Sequence, residues 1–246
     1  MVLLEADHLT AGYGDTRAIT DVSIEIGEGS VLALVGANGA GKSTLLNVIS
    51  GAHRPDAGRL IYAGEDVTRE SAFLRARRGI SLVPEGRRLF ASMSVRDNLL
   101  TGRGSQRLGP WNLDRVIAAL PMLEPLLGRT ASKLSGGEQQ AVAIGRSLLA
   151  NPRLLLLDEV SLGLAPIVVD DLYRSLRTVL DSGLSVILVE QDLRRTLTVA
   201  NHIVCLLEGT LVLQGTPAEL STETITDAYF GHARTGESPH RADGGH

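Results

Sequence analysis

The chain has 246 residues, a net charge of −4 and 43% hydrophobic content. These values suit one large or two small globular domains with a real core and exclude disorder throughout. No run approaches ~18 consecutive apolar residues, the mild acidity gives no support for nucleic-acid binding, and the single Cys205 excludes an internal disulfide or a cysteine metal cage.

Residues 1–30 are expected to be β structure. Val22, Ile24 and Ile26 alternate with Ser23 and Glu25, the pattern of a half-buried strand. The same stretch carries Glu5, Asp7, Asp15, Asp21 and Glu25, which is unlike a secretory signal and points to a cytoplasmic protein. Gly27 to Ser30 makes a turn, and Val31 to Val35 is a short apolar run suited to a strand buried on both faces. A glycine-rich loop follows, then Ser43 to Ile49 as a helix. The middle, residues 88–150, holds Pro110, Pro121 and Pro125 and leucines at helical spacing, with no good strand. It is expected to be a helical subdomain inserted between core segments 1–87 and 151–234. Leu154–Leu157 and Ser185–Val189 are further buried strands, with helical spacing over Asp170–Leu180 between them. Alternating strands and helices imply a parallel α/β sheet. Residues 202–215 are expected to form a hairpin turning at Glu208-Gly209, and Cys205 within it is a small buried residue. Residues 235–246 are expected to be a disordered tail with loose histidines, His240 and His246.

Gly36-Ala37-Asn38-Gly39-Ala40-Gly41-Lys42-Ser43 matches G-x-x-x-x-G-K-[ST], with a strand before it and a helix after it. Gly36, Gly39 and Gly41 let the backbone turn its N–H groups, with that of Asn38, toward phosphate oxygens, and the helix start at Ser43-Thr44 adds partial positive charge. Lys42 places a compact ammonium on the β- and γ-phosphates, a task that the wider, planar guanidinium of arginine does not share. Only Lys42 and Lys133 are lysines, although the chain has 24 basic residues. Ser43 offers its hydroxyl to Mg²⁺. Leu154 to Leu157 deliver Asp158 and Glu159 at a strand's C-terminal end, where α/β sheets bind ligands. Asp158 is expected to help hold Mg²⁺ through water. Glu159 is expected to orient and polarise the attacking water as a general base.

Leu134-Ser135-Gly136-Gly137-Glu138-Gln139-Gln140 precedes a helix, and Ser135 with Glu138 is also an ordinary capping box. Here the sequence resembles the ATP-binding cassette (ABC) ATPases, whose signature is LSGGQ. The resemblance spans about residues 3–230, with the motifs in the family's order. It implies a P-loop NTPase core with an N-terminal antiparallel β subdomain and an inserted α-helical subdomain. It implies ATP and Mg²⁺ as cofactors. ATP would be sandwiched between the phosphate loop of one cassette and Ser135, Gly136, Gly137 and Glu138 of another, so a second ABC ATPase subunit is needed. Tyr13 matches the aromatic that stacks on adenine. Ser161 to Pro166 match the loop that crosses the dimer interface, with Val160 where proline is usual.

Two departures narrow the resemblance. Val83-Pro84-Glu85-Gly86-Arg87-Arg88-Leu89-Phe90 puts Glu85 where a glutamine usually meets Mg²⁺ and senses the membrane partner. Glu190-Gln191-Asp192 puts Gln191 at the switch-histidine position, where it can donate to a γ-phosphate oxygen without carrying a proton's charge. Both are similar to the smaller ATPase subunit of branched-chain amino-acid importers. That implies two membrane permeases, an extracytoplasmic binding protein, and a place on the cytoplasmic face of the membrane. Urea or short-amide importers, exporters and soluble non-transport ABC ATPases are the alternatives. The arginines Arg75, Arg77, Arg78, Arg87 and Arg88 form either a solvated face or a dock for a permease loop or lipid headgroups.

Overall fold

A computed structural model describes residues 1–190 and 192–230. Gln191 and the expected tail, with His240 and His246, lie outside the described residues.

Strands β1 (Val2–Tyr13) and β2 (Thr16–Gly27) pair as an antiparallel hairpin. The alternation expected for β2 holds: Val22, Ile24 and Ile26 are buried while Ser23 and Glu25 are exposed. Strand β3 (Val31–Val35) is buried at every residue and feeds α1 (Lys42–Ser50) through the glycine-rich loop. Next come β4 (Ala57–Tyr62), the two-residue β5 (Glu65–Asp66), α2 (Ala72–Arg78) and β6 (Ile80–Val83).

The middle of the chain is helical, as its leucine spacing suggests. It holds α3 (Val95–Thr101), α4 (Leu113–Ala119), α5 (Gly136–Leu148) and short 3₁₀ turns between them. Strand β7 (Leu154–Asp158) follows, then α6 (Pro166–Leu180), β8 (Ser185–Val189) and α7 (Leu193–Val199). Helix α6 starts earlier than the periodicity suggests, because Pro166 pre-sets helical φ in the first turn, where a missing N–H costs nothing. The hairpin β9 (His202–Leu207) and β10 (Thr210–Gly215) turns at Glu208-Gly209 as expected, and α8 (Thr222–Phe230) closes the described chain.

Among the described residues, the strands form two sheets. One is antiparallel in the order β2-β1-β4-β5, and the other runs β10-β9-β3-β8-β7-β6. From β9 through β6 the second sheet is parallel, with β10 antiparallel at its edge. Alternate residues of its central strands enter different cores. Leu32, Leu34, Leu154, Leu156, Ile187 and Val189 pack with α1 and the antiparallel sheet. Val31, Leu155, Leu157, Val186 and Leu188 pack with Trp111, Val116, Leu123, Val142 and Leu172 from the helical side. Each fully buried aliphatic side chain contributes roughly 2 kcal/mol. A strand buried on both faces is therefore held rigidly, and so are the side chains at its C-terminal end.

Candidate nucleotide site

The phosphate loop joins the end of β3 to the start of α1. Gly41 caps the helix in the left-handed region at φ 96°, and a Cβ there would strike the carbonyl oxygen of Ala18. Only glycine fits both constraints. The next residue, Lys42, is 4% exposed. Its Nζ donates to the carbonyls of Gly36 at 2.8 Å and Ala37 at 3.0 Å, and lies 3.6 Å from Glu159 Oε1. Beside it is a cavity of about 410 Å³ bordered by Asn38, Gly39, Lys42, Ser43, Glu85 and Glu159. Gly41 and Thr44 also border it.

Adjacent β7 delivers the two carboxylates. Ser43 Oγ donates to Asp158 Oδ1 at 3.1 Å. Glu159 takes a left-handed backbone at φ 46°, and its N–H donates to the Val189 carbonyl at 3.1 Å. Such a conformation in a non-glycine residue costs on the order of 1–3 kcal/mol and persists only where its surroundings impose it. The turn carries the Glu159 side chain into the phosphate cavity rather than along the strand.

Burial pushes the Asp158 carboxyl up to about 6. The Ser43 hydrogen bond and the Lys42 charge oppose this, while the charges of Glu159 and Glu85 add to it. Between the ordinary value of 3.8 and about 6, the folded protein keeps a proton that the unfolded chain has lost. Stability therefore falls as pH rises through that window, by roughly 3 kcal/mol in full. Asp158→Asn removes this penalty. Without nucleotide at pH 7 the variant is expected to resist urea better than the wild type, with the gap closing toward pH 4. Coincident urea curves at pH 7 would contradict the assignment.

The loop after β6 brings Glu85 to the same cavity, and Arg87 and Arg88 follow in left-handed conformations, φ 64° and 45°. Arg146 on α5 holds this loop. Its guanidinium donates to the Arg88 carbonyl at 2.9 Å and the Arg87 carbonyl at 3.0 Å. Arg87 in turn reaches Gln140 Oε1 at 3.3 Å and Gln139 Oε1 at 3.4 Å on α5. The expected arginine cluster divides into different environments. Arg75 is 1% exposed and donates to the carbonyls of Val48, Ile49 and Thr68, which satisfies the C-terminal end of α1. Arg78 pairs with Glu65 and Glu70, both at 2.7 Å. Arg77 and Arg88 are exposed, so the solvated-face and docking readings fit these two and do not fit Arg75.

The signature segment opens α5 with the expected capping box. The Ser135 N–H donates to Glu138 Oε2 at 2.6 Å, and the Glu138 N–H donates to Ser135 Oγ at 3.4 Å. The first of these bonds holds the Glu138 carboxyl below its ordinary pKa against partial burial, with Arg129 adding to the effect at 3.3 Å. Gly137 is pressed against α6, and a Cβ there would strike the Val168 side chain. Ser135, Gly136, Gly137 and Glu138 do not border the phosphate cavity of their own chain. This agrees with their placement on the helical segment, 93 positions beyond Lys42 for Ser135. Lys133 is tied through its backbone carbonyl to Arg129 at 2.8 Å.

Tyr13 lies at the end of β1, half exposed and outside the cavity lining. Its ring stacks on His53 at a centroid distance of 4.5 Å, and His53 Nε2 bonds to the Gly12 carbonyl at 2.8 Å. Sequence reasoning did not foresee this partner, 40 positions away. Cys205 is buried as expected, and burial pushes its thiol up to about 11.

The family model for ABC transporters matches residues 19–161, which include the phosphate loop, the signature and the Asp158–Glu159 pair. The chain is 38% identical to the high-affinity branched-chain amino acid transport ATP-binding protein BraG of Pseudomonas aeruginosa, over 93% of this chain and 100% of that protein. It is 35% identical to the lipopolysaccharide export system ATP-binding protein LptB of Escherichia coli, over 94% of this chain and 98% of that protein. Among solved structures it resembles the ADP conformation of MJ1267, an ATP-binding cassette of an ABC transporter. The TM-score is 0.81 at 28% identity, covering 94% of this chain and 99% of that one. A second likeness is cbiO1 from Clostridium perfringens, part of the ABC transporter complex cbiONQ, with a TM-score of 0.77 at 27% identity over 95% and 96% of the two chains. The family match spans the glycine-rich loop, the signature and the paired carboxylates, and relatives at 38% and 35% identity run along nearly the whole chain; the chain belongs to the ABC transporter ATPase family.

Proposed function

We propose that this chain is the nucleotide-binding subunit of an ABC importer for branched-chain or other hydrophobic amino acids. The hydrolytic part rests on the convergence of Lys42, Ser43 and Glu159 at one cavity, with Asp158 bonded to Ser43 beside it. Lys42 and the N–H groups of the loop grip the β- and γ-phosphates. Glu159, within reach of Lys42, orients and activates the attacking water. Ser43 and Asp158 meet at 3.1 Å with Glu85 bordering the same space, a set of hard oxygen donors that fits Mg²⁺. Ser43, Asp158 and Glu85 would hold the ion, which would supply positive charge to offset the negative charge of the phosphates. Gln191 is assigned to the γ-phosphate and Tyr13 to adenine. Residues 1–87 and 151–234 are assigned to the nucleotide-binding core and 88–150 to the helical arm that carries the signature, with 191 and 231–234 outside the described residues.

Ser135 to Glu138 point to a partner cassette, because they are remote from their own chain's phosphate cavity. No helix among the described residues is long and apolar enough to cross a membrane; the transport path is assigned to permease chains by the family resemblance. The subunit would sit against them on the cytoplasmic face, with the extracytoplasmic binding protein acting through them.

The amino-acid cargo is carried by the 38% identity to BraG along the whole of that protein, together with Glu85 and Gln191. The second reading, a lipopolysaccharide exporter, has the LptB relatives in its favour. Leucine uptake in cells lacking the chain separates them. Uptake is expected to return with the wild-type chain and to stay absent with Lys42→Ala. Unchanged uptake after deletion, with a failure to export lipopolysaccharide, would favour the second reading.

A further inference from the structure

A third carboxylate lies beside Asp158 and Glu159. Glu190 follows β8 directly and is 1% exposed. Its two oxygens accept both polar hydrogens of Ser161, the backbone N–H at 3.2 Å and the hydroxyl at 2.6 Å. The residues are 29 positions apart and meet because β7 and β8 are neighbours in the sheet. One step back along β8, the Val189 carbonyl accepts the Glu159 N–H. Two consecutive residues at the end of β8 thus hold the turn after β7 on either side of Val160. Val160 itself is 1% exposed and plugged into the core, where the family usually has proline.

Burying a carboxylate is costly unless hydrogen bonds replace its water. A small neutral side chain would fill this place at lower cost. What the carboxylate adds is a two-point grip on Ser161, two residues beyond Glu159. Tyr173 of α6 faces the same group: burial first, and then the Glu190 charge, raise its phenol pKa. We infer that Glu190 is a positioning residue for hydrolysis, holding Ser161 so that the left-handed turn keeps the Glu159 carboxylate aimed into the phosphate cavity. This rests on Glu159 acting as the base.

The test compares turnover at saturating Mg-ATP and nucleotide affinity for the wild type, E190A, E190Q, S161A and E159Q. E190A is expected to lose about tenfold or more in kcat with ATP affinity within about twofold, since a small misplacement of a reacting group costs up to ~100-fold. E190Q keeps most of kcat. Its amide oxygen still accepts the Ser161 N–H, and the hydroxyl can turn to accept from the amide. S161A removes only the hydroxyl and falls between E190A and the wild type, so it decides the matter even if E190A folds poorly. Wild-type turnover in S161A, E190Q as slow as E190A, or affinity falling in step with turnover would overturn the inference. If E159Q is inactive while E190A and S161A run at the wild-type rate, Glu190 has no positioning role and the base assignment stands. If E159Q hydrolyses ATP normally, the base assignment fails and takes the inference with it.

Discussion

Lys42→Arg abolishes tight ATP binding, with an expected loss of affinity of about 100-fold or more. That is the scale of removing a buried, charged set of hydrogen bonds. The Lys42 ammonium is nearly sealed from solvent, held by the carbonyls of Gly36 and Ala37, and close to Glu159. A guanidinium is planar and wider, so it must either spread the loop or push into the phosphate cavity. The rest of the chain uses arginine almost everywhere a cation is needed. Its lysine here therefore marks a place where the shape of the cation matters as well as its charge. Calorimetric titration with ATP checks this, and equal affinities for the two proteins would contradict the role.

Glu159→Gln slows ATP turnover about 100-fold or more while ATP still binds, the loss expected when a positioned general base is removed. The substitution keeps the side chain's shape and removes the carboxylate's capacity to take a proton. It also removes the negative charge that faces the Lys42 ammonium at 3.6 Å, which leaves that ammonium freer to meet phosphate. Affinity is accordingly expected to hold or to rise. Phosphate release and nucleotide binding, measured on one sample of the variant, separate the two effects. A variant that binds and hydrolyses at the wild-type rate would remove Glu159 from the chemistry.

Local pattern was sufficient wherever one short segment carries its own constraint. The glycine spacing of the phosphate loop specifies a strand before it and a helix after it. The all-apolar runs of β3, β7 and β8 announce strands buried on both faces. The capping box of Ser135 and Glu138 marks the start of α5. The segment from β4 to β6 was harder to read. Strand β5 has two residues, and β4 opens with Ala57, Gly58 and Arg59, all exposed, so periodicity has little to act on.

The site was least legible where meaning depends on a distant partner. In sequence Arg75 looks like its neighbours Arg77 and Arg78. Only the packing of α2 against α1 turns it toward the carbonyls of Val48 and Ile49. The Tyr13–His53 stack and the Glu190–Ser161 grip join residues from separate elements, and no local motif signals them. The Val160 departure is explained by the fold. A buried valine and the bonds from Val189 and Glu190 hold the turn without the usual proline.

The most direct test of the import reading is the ATPase rate of the chain assembled with its permease and partner cassette in lipid vesicles. The rate is measured with and without binding protein charged with leucine, isoleucine or valine. Hydrolysis is expected to rise several-fold with the charged binding protein and to vanish with Glu159→Gln in this chain. An identical rate with and without the amino-acid-loaded protein, or stimulation by lipopolysaccharide in its place, would contradict it.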